Sequence, residues 1–172
     1  MSEPLLRPED WEQPVAISDL DNVESVLVPF DGSHAAERAL AWAELITRVT
    51  NAEVVVMVAY EPPLTKKGRG ALYVDEIRAA LDDEAQALAT EAVELLIGRG
   101  RRARGIVVRG EPAAAALETA EAEACDLIVL GRRGLTSELA GFAGTLEKVR
   151  SALQGGVAEK VARHADVAVM VV

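Results

Sequence analysis

The stretch SVLVPFDGS, residues 25–33, runs from a short apolar segment, Ser25–Phe30, straight into a polar turn. Four more runs of the same kind follow it: Glu53–Tyr60, Arg104–Arg109, Asp126–Leu130 and Val167–Val172. Unbroken apolar strands are buried on both faces, as in a parallel sheet. Helical patterns separate them. Ala36, Ala39, Leu40, Ala43, Ile46 and Val49 share one face, with Ser33 as N-cap and Asn51 as stop. Ile77, Leu81, Leu88, Ala92 and Leu95 line a longer helix that Gly98 and Gly100 end. Pro112 opens a third helix, and Val157, Val161 and Ala165 mark a short last one. This alternation predicts a single α/β domain with a parallel sheet and helices on both faces. Ligands in such sheets bind beyond the carboxyl ends of the strands, where the strand order reverses.

The chain has 172 residues and a net charge of −10, from 18 Lys+Arg against 28 Asp+Glu. Half of it is apolar, ample for one core. The acidity argues against nucleic acid and anionic membrane as partners, since both take a basic face. No apolar run approaches the roughly 20 residues of a membrane-crossing helix. One Cys and two His exclude a disulfide framework and make a His- or Cys-rich metal site improbable. The expected location is the cytoplasm. Residues 1–22 hold Pro4, Pro8 and Pro14 among acidic residues and read as an irregular arm. Its Leu5, Leu6, Trp11, Val15 and Ile17 leave docking on the body and disorder both open.

Two loops carry candidate chemistry. Asp31 and Ser33 stand where a strand turns into a helix, whose first N–H groups favour an anion. Either residue could instead simply cap the helix. Gly131-Arg132-Arg133-Gly134 follows the fourth strand; its glycines allow close backbone approach to an anion, or merely a turn. Other polar residues read as structural. His34 is an exposed helix residue, Cys125 a small apolar one, and Asp82, Asp83 and Glu84 a solvated helix face. Lys66, Lys67 and Arg69 belong to a loop that could also meet phosphates. No G-x-G-x-x-G follows the first strand, and neither G-x4-G-K-[ST] nor a nucleophile–base pair is visible. The chain does not read as an enzyme.

In combination these segments resemble the universal stress proteins. VLVPFDGS is similar to their first strand and Asp-x-Ser loop, VVRGEPAAAALETAEAEACDLIVLGRRG to their Gly-[Asp/Glu]-Pro helix start and glycine loop, and VAEKVARHADVAVMVV to their last helix and strand. The resemblance, carried by segments that span Val26–Val172 within an expected domain of residues 23–172, implies five parallel strands in the order 3-2-1-4-5. It implies a homodimer through Val167–Val172, in keeping with the cover that an apolar edge strand needs. It also implies an adenine nucleotide, ATP with Mg2+, as a ligand that is not required. Asp31 and the backbone at Val58 would take the base and ribose; Gly131, Gly134, Gly155 and Gly156 the phosphates, with Arg132 or Arg133 helping. The alternative is a dimeric interaction protein that binds no nucleotide.

The family's ATP-binding pattern is G-x2-G-x9-G-[Ser/Thr]. Gly144-Thr145 fits its spacing, but the context just before the last helix belongs to Gly155-Gly156, which lacks the hydroxyl. That choice leaves an insertion within residues 135–154. There Leu135, Leu139, Phe142, Leu146, Val149 and Leu153 repeat at helical spacing. A helix over its own core, a lid on the cleft and a dimer contact are the readings it leaves open.

Overall fold

The computed structural model describes residues 23–61, 71–132 and 156–172. The arm, Lys66, Lys67, Arg69, Arg133, Gly134, Gly144-Thr145, the 135–154 insertion and Gly155 lie outside the described residues.

Among the described residues, nine elements alternate in the expected order. They are β1 (Ser25–Pro29), α1 (His34–Thr50), β2 (Glu53–Tyr60), α2 (Ala71–Gly98), β3 (Ala103–Arg109), α3 (Pro112–Ala122), β4 (Leu127–Leu130), α4 (Val157–His164) and β5 (Ala168–Val171). The strands form one parallel sheet in the order β3-β2-β1-β4-β5. The boundaries follow local chemistry. The Ser33 hydroxyl accepts from the Ala36 N–H at 3.2 Å and starts α1. Asn51 ends that helix in the left-handed region at φ 57°, a conformation asparagine tolerates better than most residues. Pro112 sits in the first turn of α3, where its missing N–H costs nothing.

Side chains alternate along each strand, so the sheet sorts its core into two layers. Val26, Val28, Val54, Val56, Val58 and Val129 pack under α1 and α2. Leu27, Val55, Met57, Ile128 and Leu130 pack under α3 and α4. The helical residues that meet them are largely alanines, such as Ala39, Ala43, Ala89 and Ala116. Small side chains let the helices lie close to a valine-rich sheet.

Candidate functional site

The strand order reverses beside β1. From β1 the chain moves through β2 to β3, then returns to β4 on the other flank. The crevice of an open α/β sheet lies at this point, beyond the strand ends. Asp31 stands there, two residues past β1 and half-buried. Its Oδ1 accepts the Ser33 N–H at 3.0 Å, while Gly32 turns the chain at φ +75°. That bond fixes the direction of the carboxylate, and Ser33 caps the helix. Both polar residues of the loop thus make a local bond at the helix start, Asp31 across the turn and Ser33 as the cap.

The hydrogen-bond alternation of the sheet decides which main-chain groups reach the crevice. A residue in a parallel strand turns its N–H and C=O to the same neighbour, and the next residue turns to the other. The Met57 carbonyl accepts from Phe30 N–H at 2.8 Å, so Met57 faces β1; the Tyr60 carbonyl accepts from Gly110 N–H at 3.0 Å, so Tyr60 faces β3. Val58 is paired with Val107 and shares the β3 side. Ala59 instead turns its N–H and C=O toward the space past the end of β1. Val58 is the residue next to the one whose backbone addresses the crevice.

On the other flank the same rule applies. The Leu130 carbonyl accepts from Val172 N–H at 3.0 Å, and Arg132 N–H donates to the Val172 carbonyl at 2.9 Å. Both residues face β5, so Gly131 between them turns its main-chain groups toward the end of β1. Gly131 and Ala59 thus look at the same space from opposite sides, two strand spacings or about 10 Å apart. Arg132 commits its N–H to the sheet and exposes its side chain. Gly131 has a further constraint: a β-carbon there would lie 2.5 Å from the Ala35 carbonyl carbon and oxygen. Only glycine lets β4 run this close to the start of α1.

Gly156 is the N-cap of α4, with no side-chain hydrogen bond to the helix start and open space where a β-carbon would stand. The N–H groups of the first turn of α4 remain as donors there. Beside it, Lys160 Nζ lies 3.0 Å from Glu111 Oε1, and the Glu111 carboxylate also caps α3 through Ala114 N–H. Burial pushes the Glu111 carboxyl up, but the Ala114 N–H and Lys160 outweigh it and hold the group below its ordinary value.

A second polar cluster lies apart, at the β3 edge. Tyr60 donates to Asp82 Oδ1 at 2.6 Å, Arg109 Nε donates to the Tyr60 oxygen at 2.8 Å, and the Arg109 guanidinium also pairs with Asp82 Oδ2. Asp82 keeps part of the exposure expected of this helix face, but it is also held by partners, and Tyr60 and Arg109 approach it only through the β2–β3 register. The cluster adjoins a depression of about 640 Å3 whose lining includes Gln86, Val107 and Arg109. Cys125 is buried with its thiol pushed up by that burial, as a small apolar residue would be. His34 Nδ1 contacts Glu37 at 3.1 Å on the exposed face of α1.

The parallel sheet in the order 3-2-1-4-5, with its crevice bounded by Asp31, Ala59 and Gly131, defines a Rossmann-like α/β protein. The chain belongs to the universal stress protein family, whose model matches residues 22–172. It is 32% identical over 122 residues to a universal stress protein encoded in the QAH/OAS sulfhydrylase 3' region of Thermus aquaticus, covering 71% of this chain and 86% of that one. Among solved structures it superposes on universal stress protein UspA from Lactobacillus plantarum with a TM-score of 0.69, at 22% identity, covering 87% of this chain and 97% of that one. A universal stress protein crystallised in complex with cAMP is 26% identical, with a TM-score of 0.60, covering 87% of this chain and 96% of that one.

Proposed function

We propose that this protein binds an adenine nucleotide at the switch point beside β1. The observation that carries the reading is the convergence of the Ala59 and Gly131 main chains on one space, with the Asp31 carboxylate at its rim. Ala59 offers one N–H and one C=O, which suits the donor and acceptor edge of an adenine. Asp31 accepts from ribose hydroxyls. Gly131, Gly134, Gly155 and Gly156 supply close-approach backbone for phosphates, with the Arg132 and Arg133 side chains as counter-charge. Mg2+ would enter with ATP, bound chiefly by the phosphates. The cAMP complex of a relative supports the ligand class. The role is binding rather than turnover, in a cytoplasmic stress-response protein.

A second reading is favoured by Gly156, which brings no hydroxyl to the phosphate side. In it the protein works without nucleotide, as a homodimer joined through Val167–Val172. The strand β5 is an edge of the sheet, and Val171 on it is 44% exposed. Such an edge is a template for pairing with a second copy. Native mass spectrometry of protein purified without added ligand separates the two. A bound adenine nucleotide supports the first reading; an empty dimer that takes up no added ATP supports the second.

A further inference from the structure

The outer face of α1 is unusual for a helix on an acidic protein. Trp42, Leu45 and Val49 stand on it at helical spacing, and Val49 is 87% exposed and Leu45 46%. Arg38 and Arg48 are exposed on the same helix. Three more arginines gather at its C-terminal end. Arg99 lies 3.8 Å from Glu44, Arg101 donates to the Thr47 carbonyl at 3.3 Å, and Arg102 donates to the Asn51 carbonyl at 2.6 Å. Arg48 and Arg99 share Glu44 as their carboxylate, while Arg101 and Arg102 are bonded to carbonyls. The end of α1 therefore carries an excess of positive charge beside exposed apolar side chains.

One segment of the chain has the complementary composition. Residues 1–22 contain six carboxylates and one arginine, so half of the total −10 is concentrated there. The same segment holds Leu5, Leu6, Trp11, Val15, Ile17 and Leu20. All of it but residue 22 precedes the residues that the family model matches, so the family's domain does not account for it. It also enters the body at the right edge. Glu53 N–H donates to the Glu24 carbonyl at 2.8 Å, and Val54 N–H donates to the Arg102 carbonyl at 2.9 Å. The arm thus joins β1 about two strand spacings, or roughly 10 Å, from Arg102. The face from Val49 to Trp42 is seven residues of helix, about 10 Å. An arm of 22 residues, at up to about 3.3 Å each, spans both with length to spare.

We propose that the acidic arm, residues 1–22, docks in cis on the outer face of α1, its leucines and Trp11 over Trp42, Leu45 and Val49 and its carboxylates against the arginines at the helix end. Screening weakens such a contact, because the Debye length is about 10 Å at 0.1 M salt and about 3 Å at 1 M. Hydrogen–deuterium exchange of the full chain, followed by mass spectrometry, tests it. Leu45→Glu and Val49→Glu place like charge under the arm at exposed positions, and an unchanged exchange pattern in the sheet shows that the variant keeps the fold. The arm's amides are expected to exchange at least tenfold more slowly in the wild type than in the double variant, with the difference shrinking in 1 M salt. Arm exchange at the free-peptide rate in the wild type would overturn the proposal. So would protection that survives both substitutions, or protection that grows with protein concentration, which would assign the face to a second copy.

Discussion

A β-carbon on Gly131 would meet the carbonyl carbon and oxygen of Ala35 at 2.5 Å. The obstacle is helix backbone, which cannot rotate away as a side chain can. Gly131→Ala is therefore expected to destabilise the fold by about 1–3 kcal/mol or more, the usual range for overpacking. Urea denaturation measures it. A midpoint unchanged from wild type would mean that β4 and α1 are farther apart than described.

Gly156 presents the opposite situation, since nothing stands where its β-carbon would be. Gly156→Ser should cap α4 and raise stability by a few tenths of a kcal/mol. If the phosphates lie at this helix start, the added hydroxyl should also tighten ATP by about 0.5–1.5 kcal/mol, the net value of one hydrogen bond. Thermal unfolding with and without ATP separates the two effects. A gain in stability with no gain in affinity would place the phosphates elsewhere.

The Tyr60–Asp82–Arg109 cluster gives a pH signature. Hydrogen bonds from Arg109 and then Tyr60 hold the Asp82 carboxyl below its ordinary 3.8. A depressed carboxylate stabilises the fold above the unfolded value, and that stability is lost as pH falls through the folded one. Wild type should therefore lose more stability than Asp82→Asn as pH drops from 5 to below about 4. Parallel denaturation curves for the two proteins over that window would show the carboxylate contributes nothing.

The β5 edge can be probed at Val171, which is exposed, rather than at Val169, which packs against the α3–α4 layer. Under the dimer reading, Val171→Lys should shift sedimentation toward monomer with little change in unfolding midpoint. A wild type that sediments as a monomer at all concentrations would remove the dimer from the account.

The fold was legible because each strand and cap is written locally. The valine runs, Ser33, Asn51 and Pro112 act within their own elements, and the structure places them as expected. The candidate site was legible only to the level of the loop. Asp31 is found from its position after an apolar run. Ala59 is not, because which neighbour a residue's backbone faces depends on the register between β1 and β2, a long-range property. Counting outward from the Pro29–Met57 pair identifies it. The partners of Asp82 were illegible for the same reason, since Tyr60 and Arg109 lie far from it in sequence.

On the proposed reading, an adenine nucleotide sits between Ala59 and Gly131 with Asp31 on its ribose. Titration calorimetry of ATP into wild type and Asp31→Ala tests it most directly. A hydrogen bond to a charged group is worth about 1.5–3 kcal/mol, so the variant should bind roughly ten- to a hundredfold more weakly at an unchanged fold. Equal affinity in the two proteins, or no binding by the wild type at millimolar ATP, would contradict the account.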